Sequence, residues 1–288
     1  MKLAAIKVGV STVWTSPEAP RDLDAPAIAA TPDVAAWADS MNTEVRLGLH
    51  GRTLTQALYA EPVLIRSERD GWSEIIAPWQ PSSSDPLGYP GWIPSSHLGE
   101  LPAAASDPVA VAVPLTQLMA EPGGSPLLEL SFGTVLASTE RTDGYVRVAL
   151  PDGGSGWLAD EAVRVVSEPA DAMERLRLGS QFLGLQYLWG GTSAYGLDCS
   201  GLIHAVNRVV GLRTPRDAHD QCDALEHVAV DEAQPGDLYF FARPGDTVHH
   251  VGFVSPAGML HASETGKVLE DEALAPERLS TLVAAARL

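Results

Sequence analysis

Two stretches of the chain, "WSEIIAP" from Trp72 and "YVRVALP" from Tyr145, alternate apolar and polar positions. A period of two predicts half-buried strands. Both stretches sit inside longer segments with the same landmarks. Residues 58–98 hold Ala-Glu-Pro, then Gly71–Trp72, then a Gly-Trp pair ending at Trp92; residues 118–163 hold Ala-Glu-Pro, then Gly144–Tyr145, then a pair ending at Trp157. Short strands with Gly, Pro and Asp turns at this spacing predict small barrels, and two copies make a duplication rather than a solenoid. The first copy starts near "VGVSTVWTSPEAP". It contains "TPDVAAWADSMNTEVRLGLHG", whose apolar residues recur at helical spacing and predict inserted helices. The Pro- and Ser-rich breaks "ELPAAASDP" and "SEPADA" read as linkers.

Past residue 170 the pattern changes. "DAMERLRLGSQFLGLQY" and "CSGLIHAVNRVVGL" carry helical periodicity, the second closing at Gly211. "GDLYFFA", "HHVGFVS" and "GMLHAS" follow as three short strands. Helices followed by antiparallel strands predict an α+β unit. The expected organisation is a barrel with a helical insertion over 1–102, a second barrel over 106–167, and an α+β domain over 170–288.

Charge narrows the class of partner. The 288 residues carry 19 Lys and Arg against 37 Asp and Glu, a net −18. No basic stripe is available to displace counterions from a phosphate backbone, so nucleic acid is not an expected partner. An anionic membrane surface is disfavoured for the same reason. Lys7 interrupts the N-terminal apolar run, which falls short of the roughly 7–15 residues of a secretory core. No run approaches the roughly 20 apolar residues of a membrane span. Two cysteines make no disulfide framework, and a cytoplasmic protein with reduced thiols is expected.

Candidate chemistry centres on Cys199, in "GLDCSGLIHAV". It opens a predicted helix, where the macrodipole favours an anion and a thiol pKa can fall to about 3.5–7.5. A nucleophilic thiol needs a base, and the base an orienting group. In "VHHVGFV" His250 and His249 point to opposite faces of a strand. His261 follows His250 by a spacing that suits the neighbouring antiparallel strand, so a Cys–His–His relay is available.

These motifs carry two resemblances. The duplicated segments, over roughly residues 5–166, resemble the bacterial SH3-like barrel. "YLWGG" (187–191), "DCSG" (198–201), "TPRDAHDQ" (214–221), "PGDLYFF" (235–241), "HVGF" (250–253) and "LHAS" (260–263), in that order, resemble the NlpC-type cysteine peptidases, papain-like enzymes that cleave bacterial cell-wall peptides. That resemblance implies Cys199 as nucleophile, His250 as general base, His261 as orienting residue and Tyr187 as an oxyanion donor. It implies no cofactor and no metal. Two SH3-like barrels ahead of such a domain are similar to the gamma-D-glutamyl-L-diamino acid endopeptidases of murein-peptide recycling. Their substrates, peptides with a free N-terminal L-alanine, imply binding roles for Asp198, Tyr89 and Ser200. A carboxylate beside Cys199 would also raise the thiol pKa, against the helix terminus.

Other readings compete. A secreted hydrolase acting on intact wall is one; a non-catalytic peptide-binding scaffold and an acyltransferase are two more. Zinc on Cys199 and the histidines is disfavoured, because adjacent histidines on a strand diverge. Cys222 reads as an incidental thiol, and His204, His219 and His227 as surface or packing residues. Arg216 and Asp217 read as structural, and Trp72, Trp92, Trp157 and Trp189 as packing.

Overall fold

The computed structural model describes residues 1–103, 107–168 and 170–288. The two linker readings fall partly on residues 104–106 and 169, which lie outside the described residues. Among the described residues, no helix is long and apolar enough to cross a membrane.

The first sheet is built from β1 (Lys2–Ile6), β2 (Val10–Trp14), β3 (Thr53–Leu58), β4 (Pro62–Arg69), β5 (Trp72–Ala77), β6 (Tyr89–Pro94) and β7 (Leu98–Gly99). The second uses β8 (Asp107–Val111), β9 (Leu115–Met119), β10 (Pro126–Ser131), β11 (Val135–Thr142), β12 (Tyr145–Ala149), β13 (Ser155–Ala159) and β14 (Val163–Val165). Their strand orders, β3-β2-β6-β5-β4-β1-β7 and β10-β9-β13-β12-β11-β8-β14, are the same order shifted by one copy. Both copies break register at matching places, between Ile65 and Ser67 and between Ser138 and Glu140. Such bulges bend a sheet towards closure. The copies differ at the hairpin tip. Asp70 and Gly71 both take positive φ (50° and 80°), whereas in the second copy only Gly144 does. Positive φ at both central residues is the twist-matched two-residue turn that Asp-Gly favours.

The insertion in the first copy is helical, with α1 (Ala25–Ile28), α2 (Val34–Asp39) and α3 (Thr43–Leu47). Asp33 and Asn42 cap α2 and α3 by accepting from Ala36 N and Val45 N. Trp37 packs on Trp14, ring centroids 6.1 Å apart, and donates its indole N–H to Asp24 at 2.8 Å.

The C-terminal unit contains α4 (Ala172–Ser180), the short pair β15 (Thr192–Ser193) and β16 (Gly196–Leu197), α5 (Cys199–Val209) and α6 (Ala218–Ala224). After them come β17 (Glu226–Val228), β18 (Leu238–Phe241), β19 (His250–Val254), β20 (Met259–Ala262), β21 (Leu269–Glu272), α7 (Pro276–Leu279) and β22 (Leu282–Arg287). Six strands form one sheet in the order β17-β22-β18-β19-β20-β21, where the sequence pattern predicts three. The additions are the edge strands β17 and β21 and the weakly alternating β22. Edge strands carry charge and little alternation, so they leave no period-two signature. The helix expected over "DAMERLRLGSQFLGLQY" ends at Ser180. The Ser180 hydroxyl donates to the Leu176 carbonyl, and the chain turns to bring Phe182 edge-on to Phe132 of the second barrel, centroids 5.0 Å apart.

α5 is buried along its whole length and packs against β19. One apolar cluster joins Leu202, Val206 and Val209 of α5 to Phe240, Val251, Phe253 and Leu260 of the sheet, and Phe132 and Ala110 extend it into the second barrel.

Candidate active site

Cys199 is the first residue of α5, and Asp198 is its N-cap, accepting from Gly201 N at 2.7 Å. A Cβ on Gly201 would lie 2.0 Å from the Gly191 carbonyl oxygen. The "YLWGG" and "DCSG" motifs thus pack backbone against backbone, and only glycine fits. The Cys199 thiol lies against the start of β19. Its sulfur is 4.0 Å from the carbonyl oxygen of His249, the residue preceding His250.

His250 and His261 are both buried. The register pairs Val254 with Met259, so alternation sets both imidazoles on one sheet face. His250 Nε2 is 2.8 Å from His261 Nδ1, which leaves His250 Nδ1 as the ring nitrogen for the thiol. His249, exposed, is on the opposite side of the strand and lines the cleft mouth. Tyr187 is buried, anchored by its backbone N–H to the Lys267 carbonyl, and lines the cleft together with Cys199.

Burial dominates the titration of this cluster. It pushes the Cys199 thiol up to about 12, with the Asp198 carboxylate adding in the same direction. It holds His250 well below the usual imidazole range and brings His261 down to about 4. The low thiol pKa expected from the helix terminus is therefore not what the structure gives. Removing a thiolate from water works against the macrodipole, and burial favours the uncharged forms of the thiol and both imidazoles.

Asp198 and Ser200 sit in a closed polar knot. Arg216 is a fully buried guanidinium that grips both oxygens of Asp198, at 3.0 and 2.6 Å, and also donates to the Ser200 hydroxyl at 3.0 Å. Gly190 N supplies a further bond to Asp198 at 2.9 Å. A carboxylate so neutralised has little attraction left for a ligand ammonium. Asp217, the neighbour read from sequence as structural, is placed otherwise. Its carboxylate accepts the Tyr89 hydroxyl at 2.8 Å and is raised by burial above the usual range. Tyr89 is likewise held protonated, first by burial and then by Asp217.

Tyr89, Tyr187, Asp198, Cys199, Ser200 and Asp217 border one cleft of about 360 Å³ between the first barrel and the catalytic unit, with His250, His261 and Arg216 behind it. Gly51, Thr53, Leu54 and Tyr89 form the barrel wall; Trp189, Cys199, Asp217 and His219 are among the residues opposite. Trp189 is 38% exposed and stacks on His50 at 3.9 Å, so it is a cleft wall rather than core packing. His219 also lines this cleft, while His204 is buried with its Nδ1 2.9 Å from the Thr214 carbonyl. Cys222 is a buried free thiol, 3.7 Å from His227 Nε2.

Comparison with known proteins agrees with this geometry. The NlpC/P60 family profile matches residues 184–284, and the YKFC SH3b2 domain profile matches residues 111–165. A Bacillus subtilis gamma-D-glutamyl-L-lysine dipeptidyl-peptidase is 37% identical over 267 residues, 91% of this chain and 90% of its own. The chain belongs to the NlpC/P60 family. It is a cysteine peptidase with SH3b-type domains ahead of the catalytic domain. A Bacillus cereus protein, also named gamma-D-glutamyl-L-lysine dipeptidyl-peptidase, is 32% identical over 93% of this chain and 85% of its own. The crystal structure of an NlpC/P60 family protein from Bacillus cereus superposes over 99% of both chains with a TM-score of 0.92 at 29% identity.

Proposed function

We propose that the protein hydrolyses the gamma-D-glutamyl–diamino acid bond of murein peptides whose N-terminal L-alanine is free, and that it serves peptide recycling in the cytoplasm. The observation that carries the reading is the Asp217 carboxylate, capped by Tyr89 and sharing a cleft with Cys199. A partly desolvated carboxylate is stabilised by a cation, and a peptide's terminal ammonium is one. The names of the two Bacillus relatives support it, since a dipeptidyl-peptidase must recognise a free amino terminus.

In this reading Cys199 Sγ attacks the glutamyl γ-carbonyl carbon while its proton passes to His250 Nδ1. The tetrahedral oxyanion is met by the Tyr187 hydroxyl and the Cys199 backbone N–H. The C–N bond breaks as the His250 imidazolium protonates the departing amine, leaving a thioester. Water, deprotonated by His250, then releases the acid and restores the thiol. Asp198, Ser200 and Arg216 shape the floor, and Asp217 with Tyr89 reads the ammonium.

The test is cleavage of L-Ala-gamma-D-Glu-meso-diaminopimelate and its L-lysine counterpart, each free and N-acetylated, followed by mass spectrometry beside Cys199→Ala. Cleavage of the free peptides, abolished by Cys199→Ala and strongly reduced by acetylation, is the expected result. Equal cleavage of free and acetylated peptides would remove the ammonium reader and point to a hydrolase of intact wall.

A further inference from the structure

The hydrogen-bond chain that orients the base does not end at His261. Buried His261 presents Nδ1 to His250 and Nε2 to β21, where Glu272 Oε1 is 3.2 Å away. Register explains the position. His261 pairs with Glu270, and Glu270 and Glu272 stand on one face of β21, with the Glu270 carboxylate farther off at 3.9 Å. Glu272 is in turn held by Arg278, whose Nε lies 3.3 Å from the same oxygen. Arg278 also donates to the Ser263 hydroxyl at 3.4 Å and lies over Phe241, the ring beside His250.

We infer that Glu272 is a positioning residue that selects the working tautomer of the base, with Arg278 holding it in place. Two proton arrangements satisfy the 2.8 Å contact between His250 Nε2 and His261 Nδ1. In one, His250 Nε2–H donates, His261 Nε2–H points at Glu272, and His250 Nδ1 is a lone pair able to take the thiol proton. In the other, His261 Nδ1–H donates, a bare His261 Nε2 faces a carboxylate, and His250 Nδ1 carries a proton and cannot act as base. Only the first lets the carboxylate accept a hydrogen bond instead of opposing a lone pair. No proton passes to Glu272: the thiol proton stays on His250, whose imidazolium charge the carboxylate stabilises through His261. The sequence holds this assignment in an acidic edge-strand tract, "LEDE", where surface charge is the ordinary reading.

The inference rests on the peptidase reading for its kinetic arm and on no substrate for its spectroscopic arm. Glu272→Ala should lower kcat about 10–100-fold with KM unchanged, the loss expected when a base points the wrong way. Glu272→Gln keeps an acceptor oxygen and should recover most of that loss, while Glu270→Ala should stay near wild type. In the full-length protein, ¹⁵N chemical shifts of the imidazoles should report His250 with its proton on Nε2, and a second, Nδ1-protonated population should appear in Glu272→Ala. Thermal unfolding of each variant separates positioning from folding. A Glu272→Ala protein with wild-type kcat, or with wild-type tautomers, overturns the inference. So does a loss seen only in Glu270→Ala/Glu272→Ala, which would assign the role to the pair. If no murein peptide is cleaved even by wild type, the tautomer shift still decides the role of Glu272, and the substrate reading alone fails.

Discussion

The two barrels share a strand order and a bulge position, yet they meet the catalytic domain by a different balance of contacts. The first is joined by buried polar contacts. Arg46 donates to the Tyr187 carbonyl at 2.9 Å, Arg216 to the Thr55 hydroxyl at 2.9 Å, and Thr192 N to Gln56 Oε1 at 3.0 Å, while Arg208 pairs with Glu61 at 2.8 Å. The second offers Ala110 and Phe132 to the hydrophobic core and adds fewer polar bonds: Gln181 to the Ala112 carbonyl at 3.0 Å, Ala194 N to the Ser131 hydroxyl at 2.9 Å and the Tyr195 hydroxyl to Glu129 at 2.8 Å. Apolar contact is non-directional and tolerates small shifts, whereas hydrogen bonds and ion pairs fix register. The barrel that supplies cleft wall residues is the one attached by more of these directional bonds. Duplication kept the scaffold, and the contacts around it divided the labour between site geometry and support.

That division can be broken from either side. Arg216→Met should have the largest effect, because it leaves the Asp198 carboxylate buried without its partner. A stability loss of about 3–5 kcal/mol and no measurable turnover are expected, read by denaturant unfolding and peptide cleavage. A variant that stays active would show the knot to be dispensable. Phe132→Ala on the supporting side should cost a similar 3–5 kcal/mol through the cavity it leaves, but with kcat and KM close to wild type in the folded enzyme. A change in KM there would mean that the second barrel also shapes the cleft. Tyr89→Phe should be the mildest. It removes one hydrogen bond to Asp217, leaves stability near wild type, and raises KM for the free peptide about tenfold, with less discrimination against the acetylated one.

Much of this was legible in the chain because the signals were local or ordered. Period-two strands, Asp-Gly turns and Gly-Trp pairs mark both barrels, and the ordered run from "YLWGG" to "LHAS" marks the catalytic domain. What could not be read depends on contacts across the chain. The resemblance implies an ammonium-binding role for Asp198, and nothing beside it in the sequence signals Arg216, 18 positions away, which grips its carboxylate. Asp217 looked like loop architecture, yet Tyr89, 128 positions away, draws it into the cleft. Trp189 follows a motif tyrosine and reads as core until His50 of the other domain stacks on it. The thiol pKa shows the same limit, since a helix terminus is visible in sequence and the depth of its burial is not.

The burial that raises the Cys199 thiol bears on more than turnover. Peroxide and electrophilic metabolites attack thiolates, so the same removal from water that disfavours ionisation also disfavours oxidation of the nucleophile.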